Sequence, residues 1–365
     1  MLWEKTLSRD NNFHFIRFTA ATLVILSHTY PLYGSKFEPY VWLSGYETFG
    51  GLAVCMFFVI SGFLITKSWL DSHGIISYFK KRFLRLFPGL FAAMLFCVLV
   101  VGPLTTTLDL NKYFLHSGIH TYIYNVFLFP IRYSLPGVFV NNPYPNAVNG
   151  SIWSLPVEAV AYFIVALLGV MRILSRRILV VFLTVFLIAV DWYMINRPEY
   201  KSLVVFYMLV VPSLKCIIYF LMGAIFYLYR EKVHLDWKLL LLALLFFVGS
   251  FRSSYGHTIS YFTLPYLVLY SVYADVSVLR NFGRYGDFSY GIYVYAFPVQ
   301  QTLMYYAGSY LNKTTFFLSA FVVTLLLGIM SWHFIEKPAL GLKNVVILKP
   351  NMTSIKWLKA WKYPA

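Results

Sequence analysis

Long apolar stretches alternate along this chain with short connectors rich in Lys and Arg. A helix that crosses the hydrocarbon core of a bilayer needs about 20 mainly apolar residues. Segments that meet or approach this lie at 13–33, 49–69, 86–104, 153–171, 178–195, 202–229, 239–251, 259–275, 288–307 and 315–335. The pattern predicts an all-α, polytopic membrane protein with about ten transmembrane helices. The segment 202–229 is long for one span and contains Pro212 and Lys215, so it reads as a kinked helix or as a re-entrant piece followed by a span. The segment 239–251 is short. Neither a second soluble domain nor an internal repeat is visible, which predicts one transmembrane domain over 1–338. A basic cytoplasmic tail follows over 339–365, where Lys alternates with Trp357, Leu358 and Trp361 as in an interfacial helix.

Composition agrees. Charged residues make up 12% of the chain, against about 25% in a soluble domain. Aromatics reach 20%, as suits a chain with many membrane interfaces. The net charge of +16 does not point to nucleic acid, because the basic residues lie between apolar segments. With the N-terminus placed inside, 21 of the 30 Lys and Arg fall in inner segments and 7 in outer ones, with Arg17 and Lys215 embedded. The positive-inside rule then predicts cytoplasmic termini and a multi-pass protein of the cell membrane, the inner membrane if the source is bacterial. The first apolar run is long and no small-residue cleavage site follows it, so no signal peptide is expected. Cys55, Cys97 and Cys216 have no metal or redox spacing and read as core residues.

Ionisable groups in hydrocarbon are functional candidates by default. His28 lies deep in the first segment and Arg17 is eleven positions earlier. At about 100° and 1.5 Å per residue, the two share a helix face and stand roughly 16 Å apart. Taken alone, Arg17 also reads as a cation snorkelling to headgroups, and His28 as a buried imidazole bonded to a neighbouring helix. The run Lys80 to Arg85 opens the third span, and Lys81, Arg82 and Arg85 are candidates for holding phosphates or ordinary topology charge. The stretch Asn149 to Glu158 enters the fourth span, placing Trp153, Ser154 and Glu158 at the outer side. There Glu158 orients His28, anchors a polar substrate, or is simply favoured by the helix dipole. Ser61 and Gly62 are small enough for close helix approach. His116 and His120 have the spacing of metal ligands on a helix but lack a third ligand, so no metal is expected. Asn149 and Asn312 fit a weak glycosylation pattern.

Together these segments resemble acyltransferase family 3 of integral membrane proteins. Arg17 and His28 reproduce its Arg–ten residues–His pattern, and Phe57 to Leu64 its Phe-Phe-x-Ile-Ser-Gly-Phe-Leu run. Arg82 and Arg85 match its Arg-x-x-Arg pair, Trp153 to Glu158 its Trp-Ser-Leu-x-x-Glu run, and Phe288 to Tyr293 its Ser-Tyr-Gly-Ile-Tyr run. The close of the last span, Phe334 to Pro338, is also similar. One position departs: family members often carry a His where this chain has Ala296. The soluble esterase-like domain that many members append is not expected here.

The resemblance implies O-acyl transfer, usually of acetyl, from cytoplasmic acyl-CoA to a hydroxyl of a surface glycan such as lipopolysaccharide O-antigen. The expected roles follow. Arg17, Lys81, Arg82 and Arg85 hold the donor, and His28 is general base or transient acyl carrier. Glu158 orients it or binds sugar, and Trp153, Ser154 and Tyr290 line the acceptor end. Acetyl-CoA would be a donor substrate, with no tightly bound cofactor. The alternative class is a multi-span transporter or flippase with Arg17, His28, Glu158 and Lys215 along its pathway; it is disfavoured by the absence of two related halves.

Overall fold

The computed structural model describes residues 1–7, 11–72, 74–276, 279 and 281–344. The basic tail expected at 339–365 therefore lies mostly outside the described residues. Ten long helices occupy the expected segments: α1 Phe13–Leu32, α2 Phe49–Leu70, α3 Ile75–Phe96, α4 Ser154–Val170, α5 Arg177–Ile195, α6 Val210–Leu228, α7 Trp237–Gly249, α8 Gly256–Tyr273, α9 Ser289–Ala307 and α10 Lys313–Ser331. Among the described residues, six helical stretches are long and apolar enough to cross a membrane: Phe49–Leu70, Ile75–Thr105, Ser151–Val170, Arg177–Ile195, Val210–Leu228 and Lys313–Gly341. The protein is thus a helical membrane protein. Of the other four helices, α7 has only 13 residues, whereas α1, α8 and α9 carry many hydroxyl, amide and imidazole groups. The reason is visible in α9. It is buried without interruption from Ser289 to Gln301, so its side chains meet protein rather than lipid.

Helix α2 forms the centre, packing on α1, α4, α6 and α8. Its contact with α6 is backbone to backbone. A Cβ on Gly62 would fall on the Phe220 carbonyl, and one on Gly223 would fall on the Val59 carbonyl. Dispersion contacts at such a crossing hold helices together where lipid removes the hydrophobic drive. On the other side, α9 is packed against α1, α10 and α3.

Two element boundaries differ from the sequence reading. The third helix starts at Ile75 and not near 86, so Lys80 to Arg85 lie inside its first three turns. It continues through a π turn, Cys97–Val101, to Thr105. The segment 202–229 is neither a kinked span nor a re-entrant helix. Val204–Val205 and Met208–Leu209 form a two-stranded hairpin, and α6 begins at Val210. Pro212 then falls in the first turn, where its missing N–H costs nothing. The 105–152 segment folds into short helices, including Leu110–Leu115 and Ser117–Ile123, and buries Tyr113, Tyr122, Val138 and Phe139.

Candidate active site

Five helices, α1, α2, α3, α4 and α9, and the loop before α9 converge on a cavity of about 630 Å³, within the usual range for small-molecule sites, about 300–1,000 Å³. Arg17 comes from α1, Lys81, Arg82 and Arg85 from α3, Ser154 and Glu158 from α4, and Tyr290 and Tyr293 from α9, with Asp287 on the loop before α9. Helical spacing explains the convergence: Arg82/Arg85 and Tyr290/Tyr293 stand at i,i+3 and Ser154/Glu158 at i,i+4, so each pair shares a face.

The charges pair in an order that spacing did not reveal. Asp287 Oδ2 accepts from Arg85 Nη2 at 2.7 Å and from Arg17 Nη1 at 3.1 Å. Burial alone would raise the Asp287 carboxyl, but Arg85 and Arg17 outweigh it and hold the group well below the usual carboxylate range. A second carboxylate, Glu336, lies 3.6 Å from Arg85 Nη1 and accepts from Ser331 Oγ at 2.9 Å. The π turn Trp332–Glu336 turns it inward. Such turns often sit at functional sites because they re-aim a side chain. Arg85 also lies over the Tyr290 ring, whose hydroxyl donates to the Leu86 carbonyl at 2.8 Å.

Arg82 differs. Its guanidinium rests against the rings of Tyr78 and Tyr162, 5.9 and 5.8 Å from their centroids, and its Nε is buried without an acceptor. Lys81 donates to Ser72 at 3.2 Å. Glu158 accepts from Ser61 Oγ at 3.3 Å and from the Tyr162 hydroxyl. Ser61 thus serves this carboxylate in addition to helix packing.

His28 is placed apart from this cluster. Its Nδ1 is buried without a partner and its ring stands edge-on to Phe297, centroids 5.1 Å apart. No hydrogen bond joins Glu158 to His28 among the described residues. The expectation that Glu158 orients the imidazole therefore gives way to Ser61 and Tyr162 as its partners, because Glu158 points into the basic cavity. Trp153 also leaves that cavity. Trp153 and Pro156 line a second cavity of about 720 Å³, whereas Ser154 and Leu155 line the first. The opening turn of α4 is thus a wall shared by both. Phe297 meets this second cavity at Gly150 and Tyr144.

An acyltransferase-domain family model matches residues 10–333. The chain belongs to acyltransferase family 3. This is the family the motifs pointed to, and acyltransferase is the enzyme class that follows. The chain is 32% identical over 340 residues to an O-acetyl transferase of Shigella phage Sf6, covering 91% of this chain and 96% of that protein. It is 28% identical over 379 residues to Nodulation protein 10 of Rhizobium leguminosarum bv. viciae, covering 95% and 97%. No solved structure matches. The acyltransferase motif residues Arg17, Arg82, Arg85, Ser154, Glu158 and Tyr290, distant in sequence, all line one cavity.

Sequence reasoning missed Asp287 and the partnership of Glu336. The available signal was scarcity: with only 14 acidic residues in the chain, an Asp directly before the Phe288–Tyr293 run is conspicuous. Ala296 is fully buried with Ala21, Ile25, Ile292 and Ala320, so its place is used for tight packing of α9. His116 caps the helix Ser117–Ile123 by accepting from Gly118 N at 2.9 Å. Asn149 is buried and donates its amide to the Val294 carbonyl at 2.8 Å, whereas Asn312 is exposed and caps α10 through its side-chain oxygen, which accepts from Thr315 N. The three cysteines are buried and unpaired.

Proposed function

We propose that this acyltransferase moves an acetyl group from acetyl-CoA to a hydroxyl of a cell-surface glycan such as lipopolysaccharide O-antigen. The observation that carries the reading is a sequence of three environments along α1. A cation-rich cavity surrounds Arg17, His28 stands three helical turns further on, and an uncharged cavity begins beyond Phe297. In this reading both termini are cytoplasmic, the basic cavity takes the donor, and all ten long helices are embedded. The name of the phage relative supports acetyl as the group and oxygen as its destination.

Arg82 and Lys81 hold the donor phosphates, since the buried Arg82 Nε has no protein acceptor. Arg85 and Arg17 are largely neutralised by Asp287 and Glu336, so they shape the cavity and contribute less net charge to the phosphates. The pantetheine arm passes Tyr290 and Tyr293 to bring the thioester to His28. His28 takes the proton of the sugar hydroxyl as its oxygen attacks the thioester carbonyl. The C–S bond breaks and the departing thiolate takes the proton from the imidazolium. An imidazole is suited to this exchange near neutral pH. Ser154, on the turn of α4 shared with the second cavity, stands where the acceptor hydroxyl would arrive, whereas Glu158 lies beside Tyr162 and Arg82 at the donor.

The test is transfer of labelled acetyl from acetyl-CoA to purified O-antigen by the purified protein. Wild type should transfer label, and His28→Ala, inserted normally, should not. Transfer at the wild-type rate by His28→Ala removes the base assignment.

A further inference from the structure

The second cavity differs from the first in one respect that bears on the acceptor. Among the described residues, no Asp, Glu, Lys, Arg or His lines it. Arg132 lies in sequence between lining residues Ile131 and Tyr133 but is not part of the wall. One side is built from the 128–156 segment, with Tyr144 and Trp153, and the other from the hairpin, with Phe206 and Tyr207. Its polar groups are hydroxyls and amides, including Ser134 and Asn146. Phe297 packs against two residues of its wall, the ring lying 6.0 Å from that of Tyr144 and filling the space beside Gly150, and the same ring packs edge-on against His28, centroids 5.1 Å apart.

We infer that this cavity binds an uncharged sugar ring, the neutral glycosyl unit that carries the acceptor hydroxyl, and discriminates against acidic sugars. The inference rests on the proposed acyl transfer, because it assigns the acceptor's side of that reaction. Aromatic side chains offer flat apolar faces, with a polar tip on Tyr and Trp, which suits a ring with an apolar C–H face and hydroxyls at its rim. A lipid chain would make no use of Ser134, Asn146 or the tyrosine hydroxyls. A carboxylated sugar would lose hydration and meet no cation in exchange, and an unpaired charge is costly to desolvate. Phe297 then acts as a positioning residue: it separates the bound ring from His28, and its rotation would admit one hydroxyl to the imidazole.

The experiment is saturation-transfer NMR on the purified full chain in detergent, with methyl α-glucoside and methyl glucuronide as probes. The glucoside should bind and the glucuronide should bind at least tenfold more weakly. Trp153→Ala should weaken glucoside binding about tenfold, and Trp153→Phe should retain it, which separates stacking from misfolding. Ser134→Arg, an exposed position, should admit the glucuronide. Equal binding of both glycosides by wild type, or glucoside binding unchanged in Trp153→Ala, overturns the inference. Acetyl-CoA binding measured on the same samples keeps the two readings apart. Selective glycoside binding without acetyl-CoA binding overturns the donor assignment and upholds the cavity; the converse overturns the cavity alone.

Discussion

Arg85 donates a 2.7 Å hydrogen bond to Asp287, which lies 202 positions later in the chain. This bond, with the 3.1 Å bond from Arg17 to the same oxygen, fastens α1 and α3 to the loop that leads into α9. Two family motifs, one on each arginine, are thereby held by a residue that belongs to neither.

Removing that carboxylate leaves two half-buried guanidinium groups without their shared partner. Asp287→Asn should cost about 3–5 kcal/mol, read as a fall in the thermal unfolding midpoint in detergent. The Asp287 carboxyl is depressed in the folded state, so its contribution is complete above the unfolded value of about 3.9 and fades as pH falls toward the folded one. The stability gap between wild type and Asp287→Asn should therefore narrow as pH falls below about 4, where the Asp287 carboxyl begins to protonate in the unfolded chain. A gap unchanged between about pH 4 and about pH 2 would assign the linkage to another group.

Arg82 and Arg85, adjacent on α3, should behave differently. Arg82→Ala should raise the KM for acetyl-CoA roughly tenfold, the loss of one charge-assisted contact, with little change in unfolding midpoint. Arg85→Ala should lower the midpoint, because Asp287 and Glu336 both lose a partner. Calorimetric donor titration alongside thermal unfolding checks both; an equal loss of affinity in the two variants would contradict the division.

For His28→Ala, kcat should fall by a factor of about 10²–10⁴, the usual contribution of a general base. Acetyl-CoA affinity should be retained, since His28 lies outside the basic cavity. Isothermal titration and single-turnover transfer together separate the two effects.

A Cβ at Gly150 would stand 2.6 Å from the Phe297 ring. Gly150→Ala should therefore displace that ring, destabilise the fold by about 1–3 kcal/mol and slow transfer. Because the clash is with one side chain, Phe297→Leu should offset part of the loss. A double-mutant cycle measures the coupling, and additive effects would show that Gly150 matters for its backbone instead.

Lys215 Nζ pairs with Glu47 Oε2, 2.5 Å away. Lys215→Met alone should destabilise by about 3–5 kcal/mol, whereas Lys215→Met with Glu47→Gln should cost markedly less, because no charge is then left unpaired. Equal losses in chemical unfolding would indicate that the pair contributes net stabilisation beyond charge compensation.

The periodicity of apolar residues determined the helices, because a backbone in lipid must satisfy its hydrogen bonds within each segment. It placed α2, α4 and α5 within a residue or two of their ends. It failed at α3 and α6, where local features decided: a basic run that is still good helix former, and a hairpin whose apolar residues read like a span. The family resemblance singled out Arg17, Arg82, Arg85, Glu158 and Tyr290 one by one, whereas spacing fixes a common face only within a single helix; the structure gathers them around one cavity. Which groups pair was decided only by the tertiary structure. Asp287 joins Arg17 to Arg85, Glu158 turns to Ser61 and Tyr162, and the neighbours Trp153 and Ser154 line separate cavities. Helical periodicity states the direction of a side chain about its own axis. The rotation and depth of the neighbouring helices, set by contacts such as Gly62 on Phe220 and Gly223 on Val59, determine what that side chain meets.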